Sequence, residues 1–285
     1  MALRTIAAIT RRLGIARPGL VRRWVDGPGR RFGPVEDVVR LDGGPRIRVG
    51  TASYVEAHVY FYGSYERDVS RVLRSLAEPA GCAIDVGAHV GVHTLVLADS
   101  LGPAGRVIAC EPNPEARARL ESNVTLNRFG NVEIWPVAIL DRRGSVDLHY
   151  HDDVPFDATA TLADDVEDEV ALTTLTVRGE TLDALVASAR AQAVDIVKID
   201  AEGFEGAVLA GARELLARDR PALVFECWGD FWDRAGYRIE DVVDDLRSLG
   251  YSHFASIAPG GTIPLDGAPL VYKNVLATAT RHDRR

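Results

Sequence analysis

Two acidic residues at the ends of apolar runs, a glycine turn beside one of them and a later Lys-x-Asp-x-Glu stretch could do chemistry in this sequence. Asp85-Val86-Gly87-Ala88-His89-Val90-Gly91 follows the apolar run Cys82-Ala83-Ile84, as a buried strand passing through a glycine turn into a helix would. Gly87 and Gly91 stand where a Cβ atom would obstruct a tight turn or the close approach of backbone to a ligand. A helix starting near Gly91 aims its unpaired amides at that turn. Glu111 ends the next apolar run, Arg106-Val107-Ile108-Ala109-Cys110, 20 residues beyond Gly91, about the spacing of an acid that takes ribose hydroxyls. Lys198-Ile199-Asp200-Ala201-Glu202-Gly203 closes a third such run.

A dinucleotide site wants G-x-G-x-x-G with the pyrophosphate on the helix N-terminus. Here the pattern is D-x-G-A-x-x-G, and an acid two residues before the first glycine faces a diphosphate badly. It suits a cationic or amine-bearing ligand. A nucleoside without phosphates, carrying a positive charge and an amino acid tail, fits Asp85 and Glu111 together, and that ligand is S-adenosylmethionine. In the alternative, Asp85 caps a helix and the glycines only make a turn; Glu111 and the stretch 198–203 weigh against it.

The elements that must position these groups follow from the pattern. From Cys82 onward strands alternate with helices, which predicts a parallel sheet with right-handed crossovers. Helices are expected at about Val92–Ser100, at Pro114–Asn127 with proline near the first position, at Thr181–Arg190, at Phe204–Ala217 and at Asp241–Leu249. Strands are expected at 131–137, 194–199 and 221–225, with Tyr251–Ile257 and Leu270–Ala277 closing the sheet as a hairpin. Gly144–Tyr150 alternates like an antiparallel addition. Upstream, Val38–Leu41 and Ile47–Val49 flank Gly43-Gly44-Pro45 as a β-hairpin. A helix follows Gly63-Ser64-Tyr65-Glu66 to about Leu76. Residues 2–14 show helical spacing, and 20–25 add a turn or two. Residues 151–170 hold eight acids and few large apolar groups, and read as a mobile loop.

The chain has 285 residues and a net charge of −8. Residues 1–31 hold eight arginines and one acid, about +7, which leaves the rest near −15. An acidic body argues against a nucleic-acid enzyme, because phosphate contacts need a basic surface. The basic segment suits an anionic membrane, an acidic partner or a neighbouring subunit. No apolar run reaches the ~20 residues of a membrane span, and arginines interrupt any signal-peptide core. Cys82, Cys110 and Cys227 fall in predicted core strands without metal spacing, which places the protein in a reducing cytoplasm.

The blocks Asp85–Gly91, Cys110-Glu111-Pro112-Asn113-Pro114, Asn123 with Asn127, Thr181-Leu182-Asp183 and Lys198–Gly203 resemble those of FkbM-type methyltransferases, as do Gly63-x-x-Glu66 and Phe225-Glu226. The likeness runs over residues 60–230. It implies an α/β fold with a Rossmann-like, seven-stranded, mostly parallel sheet containing one antiparallel strand. The extension is then 1–60 (basic helix and β-hairpin) and the catalytic domain 61–280. It also implies S-adenosylmethionine-dependent O-methylation of a hydroxyl on a saccharide, glycan or secondary metabolite. The implied cofactor-binding residues are Glu66, Asp85, Gly87, Ala88, Gly91, Glu111, Pro112, Asn113, Ala138 and Asp200. Asp85 would meet the amino group, Glu111 the ribose, and Asn113 with Val137-Ala138 the adenine. Asp200, Glu202, His93 and Lys198 are the candidate catalytic groups, with His89 as a further base. His89 and His93 stand where Asn and an aromatic residue are commoner in the family. Asp200, Glu202 and Glu226 are oxygen ligands of the kind magnesium takes, but no cage can be read and no metal is assigned. The rival readings are a non-catalytic S-adenosylmethionine-binding scaffold and an NAD-dependent oxidoreductase. Expected partners are a hydroxylated small molecule or saccharide and, through the extension, a second subunit.

Overall fold

The computed structural model describes residues 7, 10, 35–150, 173–191, 193–227, 232, 236–265 and 274–279. The expected basic helix over 2–14, the turns at 20–25 and the acidic loop at 151–170 lie outside these residues, apart from positions 7 and 10.

The period-2 alternation of the apolar runs builds the central sheet. β3 (Cys82–Val86), β4 (Arg106–Cys110) and β5 (Val132–Trp135) lie parallel on one side of the centre. β9 (Ile196–Ile199) and β10 (Ala222–Glu226) continue the parallel set beyond β3. β13 (Asn274–Ala279) then pairs antiparallel with β10, and β11 (Tyr251–Ala258) antiparallel with β13. Read from β5 to β11, seven strands therefore contain one antiparallel member, β13. β12 (Gly261–Pro264) adds an eighth strand at the edge by pairing with β11. The segment Gly144–Tyr150 (β7) does not join this sheet; with β6 (Ala138–Leu140) and β8 (Thr173–Thr181) it forms a separate three-stranded one.

Both faces of the main sheet are covered, as parallel strands require. Ile84, Val86, Ile108, Val197, Ile199, Leu223 and Phe225 point to one core. That core is closed by α5 (Leu182–Ala189), α6 (Glu205–Ala210), α7 (Arg213–Asp219) and α8 (Ile239–Ser248). Ala83, Val107, Ile196 and Val224 point the other way, onto α2 (Arg67–Leu76) and α3 (Val92–Leu101). α3 is buried on nearly every side, which is why its sequence shows little amphipathic pattern. The single helix expected over Phe204–Ala217 is two. Gly211 interrupts it where a Cβ atom would lie 2.0 Å from the Leu140 carbonyl oxygen, so neighbouring chain fixes the break.

The hairpin β1 (Asp37–Arg40) and β2 (Arg46–Val49) shares a core with the main body, with Val39, Leu41, Ile47 and Val49 packing beside Val90, Leu95 and Leu120. Residues 54–62 form α1 (Tyr54–Tyr62), started by the Ser53 hydroxyl, which accepts from the Glu56 amide at 3.3 Å, and ended at Gly63 in the left-handed region. A division at residue 60 thus falls inside α1. Two asparagines of α4 (Pro114–Asn127) dock the hairpin by imitating a strand. Asn123 Oδ1 accepts from the Arg48 amide at 2.7 Å and Asn127 Oδ1 from the Arg46 amide at 2.8 Å. Their Nδ2 groups donate to the Val90 carbonyl at 2.9 Å and the Arg46 carbonyl at 2.6 Å. Thr181 and Asp183 are caps as well: Thr181 accepts from the Ala184 amide, and the Asp183 carboxylate from the Glu214 and Leu215 amides opening α7.

Candidate functional site

At the carboxyl end of the parallel strands, alternation puts Asp85 and Lys198 on the same face, and register puts them opposite each other. Asp85 is wholly buried. Its Oδ2 accepts from the Thr94 hydroxyl of α3 at 2.6 Å, and its Oδ1 lies 3.6 Å from Lys198 Nζ. Lys198 Nζ also donates to Asp200 Oδ2 at 3.1 Å. Burial pulls the lysine pKa down, but the carboxylates of Asp200, Asp85 and Glu66 outweigh it and hold the ammonium above the ordinary lysine range. Asp85 therefore supports the site from beneath; it is not on the wall of the cleft.

The glycine turn has a physical cause the sequence did not reveal. Gly87 has φ +71°, and a Cβ atom there would lie 1.8 Å from the Asp200 carbonyl oxygen. Gly91 has φ +96°, and its Cβ would lie 2.6 Å from Leu120 Cδ1. Neighbouring backbone excludes a side chain at Gly87; at Gly91 the left-handed backbone disfavours one, and Gly91 does not line the cleft. Between them His89 adopts φ +50°, uncommon for a side chain of this size.

Glu111 is held from two sides. Oε2 accepts from the His89 amide at 2.7 Å and Oε1 from the Asn113 amide at 2.8 Å. Burial raises its pKa to about 7, with the two amides and Arg117 working against it. Glu111 lines the cleft, and a carboxylate oxygen that accepts one hydrogen bond has acceptor capacity left, which suits a vicinal diol. Asn113 also caps α4, its Oδ1 accepting from the Glu115 amide at 2.9 Å.

The loop after β9 carries Asp200, Glu202 and Phe204 into the cleft. Glu202 adopts φ +48°, and burial together with Asp200, Glu226 and Glu205 raises its pKa to about 9. The loop is shaped by Glu205, a residue the motif reading passed over. Its Oε1 accepts from the Ala201 amide at 2.8 Å and the Gly203 amide at 3.3 Å; its Oε2 accepts from the Trp232 indole at 2.8 Å. Asp200, Glu205 and Glu226 each bring an oxygen within 4.8 Å of the others. Glu205 already accepts three hydrogen bonds here, and no metal is assigned to this trio.

Glu66 stands behind His93. Its Oε2 lies 3.3 Å from His93 Nε2, and its Oε1 accepts from Asn274 Nδ2 at 3.1 Å. Burial alone would raise its pKa; His93, Lys198 and Asn274 instead hold it well below the carboxylate range. His93 reaches the cleft, while Glu66 does not. Tyr65 reaches it too, and nothing in the motif reading singled it out. Burial and the carboxylates of Glu66, Asp200, Glu202 and Glu226 hold its phenol well above the usual range.

The cleft encloses about 970 Å³ of empty space, part of it open to solvent. Of the expected residues, Gly87, Ala88, His89, His93, Glu111, Pro112, Asn113, Ala138, Lys198, Asp200 and Glu202 line it. Glu111, Pro112, Asn113, Val137–Ile139 and Leu148 of β7 line it, as do Val55, Tyr65, His93, Asp200 and Glu202. No helix among the described residues is long and apolar enough to cross a membrane, and Cys82 and Cys110 are free thiols.

The model of the Methyltransferase FkbM domain matches residues 85–252, more than half of the chain. Hexuronic acid methyltransferase AglP of Haloferax volcanii is 31% identical over 151 residues, covering 53% of this chain and 58% of that protein. 2-O-methyltransferase NoeI of Sinorhizobium fredii is 24% identical over 160 residues, covering 53% of this chain and 65% of that protein. The chain thus spans less than two thirds of the length of either curated relative. Among solved structures, methyltransferase FkbM from Methylobacillus flagellatus is 14% identical with a TM-score of 0.46, covering 79% of this chain and 53% of that one.

Proposed function

The chain belongs to the FkbM methyltransferase family, and on that premise we propose that it transfers the methyl group of S-adenosylmethionine to a hydroxyl of a saccharide or related metabolite. The observation that carries the reading is Glu111, a buried carboxylate pinned by two backbone amides with lone pairs left for a diol. The donor set fits the cofactor in kind: a bidentate acceptor for ribose, the apolar Val137, Ala138, Ile139 and Leu148 for adenine, and carboxylates toward the cationic end. When bound, the cofactor supplies an electrophilic methyl on a sulfonium.

The residues of the chain do the rest. Gly87, Ala88 and Asn113 bound the cofactor end of the cleft, and Asp85 supports it indirectly by fixing Lys198. Asp200 and Glu202 face the open end, where an acceptor hydroxyl must lie in line with the methyl. Holding that oxygen close and aligned supplies most of the acceleration. A carboxylate beside it takes the proton, and Asp200, anchored by Lys198, is the base this reading assigns. His93 is a positioning group, because its Nε2 faces Glu66. The hexuronic acid and 2-O-methyl activities in the names of the two relatives support a saccharide acceptor. The free thiols of Cys82 and Cys110 suit a cytoplasmic setting.

Calorimetric titration with S-adenosylmethionine, S-adenosylhomocysteine and NADH tests this. Micromolar binding of the two sulfur nucleosides and none of NADH is expected. Saturable NADH binding, or no binding of either nucleoside by folded protein, would overturn it.

A further inference from the structure

We infer that the open end of the cleft selects its acceptor by charge, taking an amino sugar before a neutral sugar and a neutral sugar before a uronate. The inference rests on the reading above for which end of the cleft meets the acceptor, and it deepens that reading to a substrate class.

Two independent features carry it. The first is the distribution of charge. Among the described lining residues Lys198 is the one lysine or arginine, and it is already shared between Asp85 and Asp200, at 3.6 and 3.1 Å. Around it stand Asp200 and Glu202 on the cleft wall, with Glu226 and Glu205 immediately behind. Glu66 faces His93 from the other side. Carboxylates outnumber cations here, and the crowding is strong enough that Glu202 holds its proton far above the usual carboxylate range. A second carboxylate brought in by a uronic acid would meet this field with no unshared lysine or arginine among the described lining residues to receive it. An ammonium, or hydroxyls that only donate, would relieve it.

The second feature is Tyr65. Its side chain is half-buried and lines the cleft, and no hydrogen bond of its hydroxyl is found among the described residues. Burial and the carboxylates of Glu66, Asp200, Glu202 and Glu226 raise the pKa of the phenol. It stays neutral and offers one donor and one acceptor to a ligand in the cleft. An acceptor hydroxyl or amine entering the cleft can pair with it. This separates the chain from its hexuronic acid-methylating relative: no guanidinium or unshared ammonium among the described lining residues is placed to bind a carboxylate.

The test uses the full chain loaded with S-adenosylhomocysteine. Methyl glucosaminide, methyl glucoside and methyl glucuronide are titrated at pH 7 and read by saturation-transfer NMR, which detects millimolar binding without turnover. The expected order is amine, neutral, uronate, with at least ~10-fold between the two ends at low salt. The gap should shrink in 0.5 M salt and in Glu226→Gln. Equal binding of all three, a preference for the glucuronide, or no detectable binding of any probe to the loaded chain would overturn the inference and leave the cofactor reading intact. Failure to bind S-adenosylhomocysteine would overturn the cofactor reading instead. The same titrations on the unloaded chain then decide the charge preference separately.

Discussion

Lys198 Nζ and Asp85 Oδ1 face each other across neighbouring parallel strands at 3.6 Å, both side chains being at least 95% inaccessible to solvent. Such a pair is weak evidence for net stability, but removing one partner is costly because the other charge is stranded. Lys198→Met should therefore destabilise the fold by ~3–5 kcal/mol in urea denaturation. Adding Asp85→Asn should recover at least half of the loss, since an amide can still bond Thr94. If Lys198→Met alone is neutral, the pair is not coupled as the distance implies.

Gly87 gives a sharper contrast. An added methyl would lie 1.8 Å from the Asp200 carbonyl oxygen, at φ +71°. Gly43 has φ +79° with nothing within 4 Å of the same methyl. Gly43→Ala should cost only the backbone strain, ~1–2 kcal/mol. Gly87→Ala adds a clash with backbone that cannot rotate away, and should lose more than ~3 kcal/mol or fail to fold. Equal melting temperatures for the two variants would contradict this.

Those two glycines also show what could be read from the sequence and what could not. The parallel strands, the turn after β3 and α4 with its proline were legible because each rests on local pattern: an apolar run, a glycine pair, a cap. The break at Gly211 was not, because its cause is the Leu140 carbonyl, some 70 residues away in sequence. Residues 54–62 are rich in Tyr, Val and Phe, which carry no clear preference for a helix; the Ser53 cap and packing decide it. Asp85, Glu111 and Asp200 were found because they end strands. Glu205 and Tyr65 were not, since their significance lies in Trp232, Asp200 and Glu226, which only the fold brings to them.

Three buried carboxyls make stability fall with rising pH. Burial raises Glu56, Glu111 and Glu205 from 4.5 to about 7. Below 4.5 each is protonated in both the folded and unfolded chain. Between 4.5 and 7 the unfolded chain releases the proton and the folded one retains it, so stability drops across that window. Urea midpoints without cofactor should correspond to a loss of at least ~2 kcal/mol between pH 5 and pH 7.5. Glu111→Gln should flatten the slope. A flat profile for the parent chain would show that these groups ionise normally.

Glu111→Ala removes the acceptor proposed for the ribose while leaving the His89 and Asn113 amides open to water. Its cofactor affinity should fall by ~1–3 kcal/mol, the cost of lost buried hydrogen bonds. Calorimetry on S-adenosylhomocysteine reads this directly, since no acceptor is needed. An unchanged dissociation constant would put the ribose elsewhere in the cleft.

Asp200→Asn separates binding from chemistry. The amide keeps the size of the side chain, and its carbonyl oxygen can still accept from Lys198 Nζ, now 3.1 Å from the carboxylate. It cannot accept a proton from an acceptor hydroxyl. Turnover should fall by ~10²–10⁴-fold, the usual contribution of a positioned base, while the affinity for S-adenosylhomocysteine stays within a few-fold. Because Asp200 also helps to neutralise Lys198, the control is the melting temperature, which should shift little if the Lys198 to Asp85 pair survives. Turnover equal to the parent would move the base to Glu202, whose pKa near 9 makes it a poor acceptor at neutral pH until a cation enters the cleft. Loss of turnover and cofactor affinity together would make Asp200 a binding residue rather than the base.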